Sequence, residues 1–231
     1  MTIFVSTCDK YDHLLPGFAY LFNKYWGPHE VHVLHFRKPP PLPSNFICCQ
    51  LAPIETKAWT THQRDYFMGV TDPYFTILLD DYWLTQPVNK SQIDSLEQLL
   101  NTRQAAKADL TASVRKLGYK TYAPGFITAN QHARYRSSLQ PAIWRRDYYL
   151  KLLVPGRNIW QFETTGMKEA FNDQEAIIAL DSPNAVYNYA NVYLKGAVNH
   201  GQLALLSPVD LETLKRQGHL SFTEVTNATQ R

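Results

Sequence analysis

The sequence predicts an α/β fold with a mainly parallel central sheet flanked by helices. The strongest observation is the run 74–79, YFTILL, whose six residues are aromatic, β-branched or aliphatic and carry no charge. A short apolar run of this kind is typical of a strand buried on both faces, as in a parallel sheet covered by helices. Apolar runs and helical patterns precede it in the order β-α-β-β-α-β, which favours right-handed crossovers and parallel strands.

The first third of the chain supplies these elements in order. Apolar residues at helical spacing, closed by Gly27-Pro28, predict the first helix. The proline-rich connection at 37–43 is typical of a surface loop, although it also resembles a peptide-recognition ligand. His32 and His35 fit strand positions better than metal-ligand positions. We expect strands at 2–7, 30–36, 46–51 and 74–79, and helices at 14–26 and 60–69.

The remainder of the chain is less regular. The segment 91–104 is amphipathic, and Ser91 with an acidic residue three positions later predicts its N-cap. The segment 117–138 is rich in turn residues and shows no clear periodicity. We expect further helices at 145–153, 166–178 and 210–217, strands at 108–114 and 187–194, a short apolar piece at 139–144 and a turn at 196–201.

Composition sets limits on the function. A length of 231 residues suits one large α/β domain, and a net charge of +3 is too small to require a nucleic-acid partner. Aromatic residues make up 13% of the chain, which favours a surface that stacks on flat or sugar-like ligands. The three cysteines have neither metal spacing nor a disulfide framework, and we expect Cys48 and Cys49 to be buried in an apolar run.

The same features predict a soluble, cytoplasmic protein. The cysteine usage favours a reducing compartment. The N-terminus has no basic region and only a short apolar piece, so we expect no signal peptide. No window reaches the roughly 18 apolar residues of a membrane-spanning helix.

The polar loop after the first strand, 6–12, is the first candidate binding segment. This loop would lie at the carboxyl edge of the α/β sheet. If the strands at 2–7 and 74–79 are adjacent, it would face Asp80 and Asp81. Asp9 is suited to ribose hydroxyls or a base edge, and Tyr11 to stacking on the base. The loop contains no glycine, which argues against a Walker A loop or a dinucleotide-binding turn.

Asp80 and Asp81 are the second candidate. They follow the buried run directly, and one or two carboxylates together with diphosphate oxygens are a usual way to hold Mg²⁺ or Mn²⁺. Adjacent side chains on a strand point to opposite faces, so only one would reach a ligand unless a turn begins at Asp80. The alternative is a solvated strand end or the cap of a following turn.

The aromatic and basic segment 132–163 is the third candidate. Such a surface suits phosphate, single-stranded nucleic acid or sugars. Glu163 lies between Trp160 and Phe162, so we expect a raised pKa that suits a general base, with a solvated loop residue as the alternative.

Lys195 and His200 form a fourth, weaker candidate after the last strand. Lys195 would meet a phosphate and His200 would complete a metal site. The alternative is a surface turn framed by glycines.

Taken together, these segments resemble GT-A-type glycosyltransferases over about residues 2–165. The resemblance is carried by IFVSTCDKYDHLLPGF, AWTTHQRDYFMGVTDPYFTILLDDYWLTQPVN, SSLQPAIWRRDYYLKLL and NIWQFE. In that superfamily the loop after the first strand binds the nucleotide, and a later strand ends in an acidic motif that binds the metal and the donor diphosphate. A further aromatic and acidic segment meets the acceptor. Here the acidic motif is Asp80-Asp81-Tyr82, with an aromatic residue in its third position.

The resemblance implies a single GT-A-like (Rossmann-like) domain over residues 1–231. About residues 1–90 would bind the nucleotide sugar, a UDP-sugar in the first instance, and about 91–231 would bind the acceptor. Thr7 and Asp9 would contact the nucleotide, and Asp81 with Asp80 would contact a divalent metal, Mn²⁺ or Mg²⁺, and the diphosphate. Glu163 would be the base.

The remaining site residues follow from the same resemblance. Lys195 and His200 would be secondary contacts to the diphosphate or the metal. Residues predicted to meet the acceptor are Tyr82, Trp83, Arg136, Trp144 and Trp160.

The resemblance implies a hexosyl- or pentosyltransferase. Its acceptor would be a glycan or surface polysaccharide or, given the arginines at 134–146, a hydroxymethylated base in phage-type DNA. A non-catalytic carbohydrate- or nucleotide-binding module is the alternative. A metal nuclease is weaker, because no acidic-x-Lys pair follows the acidic residues.

Overall fold

The computed structural model describes residues 1–52, 58–171 and 173–220. The fold is α/β, with a large, mainly parallel central sheet flanked by helices, which confirms the predicted fold class. The strands are β1 (Thr2–Ser6), β2 (Val31–His35), β3 (Phe46–Gln50), β4 (Tyr74–Leu79), β5 (Tyr82–Leu84), β6 (Lys107–Asp109), β7 (Tyr119–Ala123), β8 (Phe126–Ala129), β9 (Ala142–Arg145), β10 (Ile177–Leu180), β11 (Tyr189–Asn191), β12 (Tyr193–Leu194) and β13 (Ala197–Val198). The helices are α1 (Leu15–Tyr25), α2 (Trp59–Met68), α3 (Lys90–Arg103), α4 (Ser113–Lys116), α5 (Arg146–Leu152), α6 (Ile159–Thr165), α7 (Met167–Ala170), α8 (His200–Leu203) and α9 (Pro208–Arg216), and a 3₁₀ turn covers Asp12–Leu14.

The described chain divides into two compact units. Unit 1 comprises Met1–Phe4, the described part of Leu51–Leu78, and the described part of Asn89–Tyr187. Unit 2 comprises Val5–Gln50, Leu79–Val88 and the described part of Asn188–Arg231. Strand β1 contributes its first residues to unit 1 and its last residues to unit 2.

In unit 1 the strand order is β4-β9-β6-β10-β8-β7. Strand β9 runs antiparallel to both of its neighbours, β10 runs parallel to β6, and β8 runs antiparallel to β10 and β7. Strands β4, β6, β7 and β10 therefore point the same way. Trp144 on the central strand β9 pairs with Phe75 on one side and Lys107 on the other, and it is fully buried.

In unit 2, β2 pairs with β3 in parallel, from Val31 opposite Phe46 to His35 opposite Gln50. Helix α1 begins with a proline in its first turn and buries its apolar stripe, and the Phe22 ring packs edge-on against Phe46 at 5.8 Å. Two short antiparallel pairs, β5 with β11 and β12 with β13, also lie in this unit. Burial of aromatic and aliphatic side chains is the main source of stability in such a core.

Several sequence predictions of local structure need correction. The helix expected at 166–178 ends at Ala170, because Phe171 has an extended backbone and the β-branched run at 177–180 forms β10. Helix α3 is capped by Asn89, whose side chain accepts a hydrogen bond from the Gln92 amide, rather than by Ser91. Helix α6, with its capping box, was not predicted. The strand expected at 108–114 ends at Asp109, whose carboxylate accepts bonds from the turn that follows.

The cysteine prediction also fails. Cys48 is exposed and Cys49 is half-buried, because Phe46 is the one residue of β3 that packs into the core. By contrast, the proline-rich connection at 37–43 is a loop without regular structure, as predicted.

Candidate functional site

The acidic pair lies in unit 2, in a turn between β4 and β5. Asp80 is only 5% exposed, and its carboxylate accepts a hydrogen bond from the hydroxyl of Thr7, which follows β1 directly. The indole Nε1 of Trp83 donates to the Asp80 carbonyl oxygen at 3.0 Å. The loop after the first strand therefore does meet the acidic turn, as the sequence predicted.

Asp81 has a different set of partners. Its carbonyl oxygen accepts a bond from the Val192 amide at 3.0 Å, which ties the turn to the segment after β11. The side-chain nitrogen of Asn191 lies 3.1 Å from Oδ2 of Asp81 when that amide is oriented to donate. Asp80 is buried and Asp81 is half-buried as a residue, although Oδ1 of Asp81 is shielded from solvent. The two carboxylates thus face different surroundings, although they are adjacent in sequence.

Burial and neighbouring groups shift the pKa of Asp80. Burial raises the pKa of Asp80 well above its usual range, and the neighbouring charge of Asp81 adds to this, while the Thr7 hydrogen bond opposes it. Burial therefore favours the protonated form of Asp80.

An aromatic cluster lies near these acids. The Tyr11 ring packs edge-on against Tyr193 at 5.3 Å, and His13 packs against the same ring at 5.5 Å. The Tyr193 hydroxyl donates to the Gly196 carbonyl at 2.9 Å, which fixes the ring. Burial raises the pKa of Tyr11 to about 12, and the charges of Asp80 and Asp81 contribute. Tyr11 therefore remains a neutral phenol at neutral pH.

Asp9 is held by Arg37 from the loop after β2. One carboxylate oxygen accepts from the Arg37 amide at 2.8 Å, and the other lies 3.0 Å from the guanidinium. Both oxygens of Asp9 are therefore engaged, and a nucleotide that contacted them would have to compete with Arg37. The contact between Asp9 and a nucleotide stays a prediction.

Lys195 and His200 lie on the exposed surface of unit 2. Lys195 occupies the turn between β12 and β13 with a φ of 52°, followed by Gly196 at 83°. His200 is the first residue of α8. Within residues 1–52, 58–171 and 173–220, no group of three His, Cys, Asp or Glu side chains comes together as a metal site. The predicted set of Asp80, Asp81 and His200 is therefore not assembled.

Glu163 lies in unit 1, on α6, which begins at a capping box formed by Asn158 and Gln161. Its Oε1 accepts a hydrogen bond from the Leu139 amide at 2.7 Å. Burial raises the pKa of Glu163, while this bond and the positive charge of Lys107 partly oppose the rise. The direction agrees with the sequence expectation, although Phe162 rather than Trp160 supplies the buried packing on this helix.

The residues expected to meet the acceptor differ in accessibility. Trp160 is 67% exposed, so its predicted role remains open to test. Trp83, Trp144 and Arg136 are fully buried, and Tyr82 is nearly so. Trp144 lies on a central strand, and Arg136 donates to main-chain carbonyls and pairs with Asp173.

The acceptor prediction for these four buried residues is therefore corrected: their side chains stabilise the core. Tyr82 packs on Tyr189 with ring centroids 4.4 Å apart. Trp83 lies against Gly17 of α1, where a Cβ atom would come within 2.2 Å of its ring. Sequence reasoning did not identify Asn191, Arg37 or Tyr193, because each acquires its role only through tertiary contact.

Comparison with solved structures reveals the same architecture in sugar-nucleotide enzymes. UDP-glucose pyrophosphorylase, solved with UDP-glucose, matches with a TM-score of 0.53 at 10% identity over 94% of this chain and 100% of that one. CMP:2-keto-3-deoxy-manno-octonic acid synthetase, solved with CTP, matches with a TM-score of 0.50 at 11% identity over 96% and 99%. The chain has a GT-A-like fold.

Staphylococcus aureus TarS also matches, with a TM-score of 0.51 at 11% identity. That match covers 83% of this chain but only 37% of TarS. At such identities the GT-A-like likeness concerns the fold alone. No protein-family model and no curated protein matches the sequence. Among the described helices, none combines the length and hydropathy required to cross a membrane.

Proposed function

We propose that the protein is a glycosyltransferase that moves a hexose or pentose from a nucleotide-sugar donor to an acceptor hydroxyl. The observation that carries the proposal is the hydrogen bond from Thr7 to Asp80 within unit 2. It joins the loop that would bind the nucleotide to the turn that would bind the diphosphate. Structural neighbours solved with CTP and UDP-glucose support a nucleotide-sugar donor, with UDP-sugars as the first choice.

The donor groups on the acidic turn fit a hard divalent cation such as Mn²⁺ or Mg²⁺. Asp81 is a half-buried residue that offers a carboxylate, and such cations take one or two carboxylates with phosphate oxygens and water. Asp80 is buried against Thr7, so we assign it the task of holding the nucleotide loop rather than that of a ligand. A bound cation would neutralise the charge that develops on the leaving nucleoside diphosphate.

Glu163 is the proposed general base. The pKa of Glu163 is raised toward the operating pH, and a general base is most effective when its pKa lies near that pH. The Leu139 amide holds Oε1, so the other oxygen would take the proton from an acceptor hydroxyl. Tyr11 and Tyr193 would offer the aromatic surface beside the nucleotide loop.

A glycan is the acceptor that the charges favour. Of the arginines at 134–146 that suggested DNA, Arg134 is exposed, whereas Arg145 pairs with Glu175 at 2.7 Å and Arg146 donates to the carbonyl oxygens of Phe67 and Met68. Arg136 is buried. Phosphate contacts need exposed cationic groups, so a DNA acceptor loses its main support.

A nucleotidyltransferase is the second candidate. The full-length matches to UDP-glucose pyrophosphorylase and to the CMP-sugar synthetase favour it. The loop at 6–12 argues the other way, since it contains no glycine to let main-chain amides close around a triphosphate. The two activities release different products, which makes them easy to separate.

The test is to incubate the protein with a panel of nucleotide sugars, Mn²⁺ and glycan acceptors, and to measure nucleoside diphosphate. We expect release with at least one donor, and at least about a tenfold loss in Asp81→Asn, because charge stabilisation of the leaving group is lost. Asp94→Asn, on the exposed face of α3, should match the wild type. Pyrophosphate release from a nucleoside triphosphate and a sugar phosphate would instead establish the nucleotidyltransferase. Donor binding without either product would establish a non-catalytic module.

A further inference from the structure

A buried lysine in unit 1 is not explained by the proposed reaction. Lys107 begins β6, is 1% exposed, and lies with its ammonium group 4.5 Å from the ring centroid of Trp144. Its Nζ donates to the Ser138 carbonyl oxygen at 2.6 Å. A buried ammonium group destabilises the folded protein unless its charge is compensated. The groups that compensate Lys107 therefore need to be identified.

A single peptide group links this lysine to Glu163. The Ser138 carbonyl accepts from Lys107, and the amide of the same peptide, on Leu139, donates to Oε1 of Glu163 at 2.7 Å. An ammonium on one side and a carboxylate on the other polarise the peptide in the same sense. Hydrogen bonds in such a chain strengthen one another, particularly where water is excluded.

We propose that Lys107 is a positioning residue for Glu163: through the Ser138–Leu139 peptide it fixes the carboxylate and compensates its charge. The coupling itself is a property of unit 1 and does not depend on any activity. Its consequence for catalysis rests on the proposed function, in which Glu163 is the base.

The other charged groups around Lys107 have partners of their own. Arg136 pairs with Asp173 at 3.5 Å and lowers the pKa of Lys107. Asp109 accepts bonds from the hydroxyls of Thr111 and Ser113 and raises it. Burial outweighs the carboxylates and lowers the pKa of Lys107 to about 8. The ammonium therefore persists at neutral pH, where it stabilises the ionised form of Glu163.

The direct test is a carbon-13 NMR titration of the Glu163 carboxyl, assigned by its loss in Glu163→Gln. In Lys107→Met we expect the titration midpoint to rise by about one pH unit, because a nearby opposite charge is removed. Lys116→Gln, an exposed lysine of the same unit, should leave the midpoint unchanged. A midpoint that is the same in Lys107→Met and the wild type would overturn the proposal.

The wild-type protein supplies an independent reading should Lys107→Met fold poorly. The Leu139 amide proton should shift twice with pH, once with Glu163 and once near the Lys107 pKa of about 8. A response to Glu163 alone would show that the peptide does not transmit the lysine charge, and the proposal would fail.

Enzyme assays then test the coupling of Lys107 to Glu163 separately from the proposed function. If nucleotide-sugar turnover exists, Lys107→Met should move the acid limb of kcat/KM to higher pH with little change in the KM for the donor. An unmoved acid limb would contradict the positioning role. Coupling seen by NMR in a protein without any turnover would leave the inference standing and would reject the proposed function instead.

Discussion

Replacing Lys107 with methionine should change how the stability of the protein depends on pH. The Lys107 ammonium is buried and its pKa is about 8, whereas a lysine in the unfolded chain titrates near 10.5. Between these values the unfolded chain still binds a proton that the folded state has released. The free energy of unfolding therefore rises with pH across this window, and the rise is absent in Lys107→Met.

The expected magnitude follows from the separation of the two pKa values. At 1.36 kcal/mol per pH unit the full window is worth about 3 kcal/mol, of which about 2 kcal/mol falls between pH 8 and pH 10. Tyrosines with raised pKa values, such as Tyr149, act in the opposite direction above pH 10, so the comparison should stop there. Both proteins share those tyrosines, and their difference isolates Lys107.

Urea unfolding at several pH values between 7 and 10 measures this difference. The wild type should gain about 2 kcal/mol relative to Lys107→Met across the upper part of that range. Parallel curves for the two proteins would show that burial does not lower the pKa of Lys107, and would refute the environment inferred for this side chain.

Three further predictions concern unit 2. Gly17→Ala should destabilise the protein by about 1–3 kcal/mol in urea unfolding, because the new methyl group would lie 2.2 Å from the buried ring of Trp83, whereas Gly201→Ala has space and should not. Asp210→Asn should cost about 1–2 kcal/mol, since Asp210 joins α9 to Lys24 and Tyr25, both at 2.5 Å. The pKa of Asp210 is lower in the folded state than its usual value of 3.8. Its contribution to stability is therefore present above pH 3.8 and is lost as the pH falls through the lower, folded-state pKa. Glu212→Gln, on the exposed face of α9, is the control. Thr7→Val should cost about 1–3 kcal/mol by removing the hydroxyl that Asp80 accepts, with Thr7→Ser recovering most of it, and equal stability of all three proteins would contradict the bond.

Those parts of the fold that depend on local pattern could be predicted from the sequence. The strand at 74–79 has the predicted bounds, because a run of uncharged β-branched and aromatic residues has few alternatives to a buried strand. The first helix is only one residue shorter at each end than predicted, since its apolar stripe and its closing Gly27 define it locally.

The parts that depend on distant partners could not be predicted. The hairpin of β7 and β8 lacks a strong alternation because most of β7 faces solvent. Strand β9 is buried by strands on both sides that lie far away in sequence.

The candidate site shows the same division between local and distant determinants. Asp80 and Asp81 could be found from their position after a buried strand. The burial that raises the pKa of Asp80 comes from the fold around it, and the Thr7 contact depends on a loop 73 residues earlier. Lys107 was missed because a charged residue at the start of a strand looks solvated in sequence, and only its partners in the folded chain reveal the link to Glu163.

We propose that the acidic turn of unit 2 binds a nucleotide through a divalent cation. It is tested most directly by thermal unfolding with UDP and Mn²⁺, alone and together. With ligand at about a hundred times its Kd, binding contributes about 2.7 kcal/mol and should raise the Tm by about 5–10 °C. We expect this rise for the wild type and for Asp94→Asn, and its loss in Asp81→Asn. A Tm that no nucleotide changes in the presence of Mn²⁺, or a rise that persists undiminished in Asp81→Asn, would contradict it.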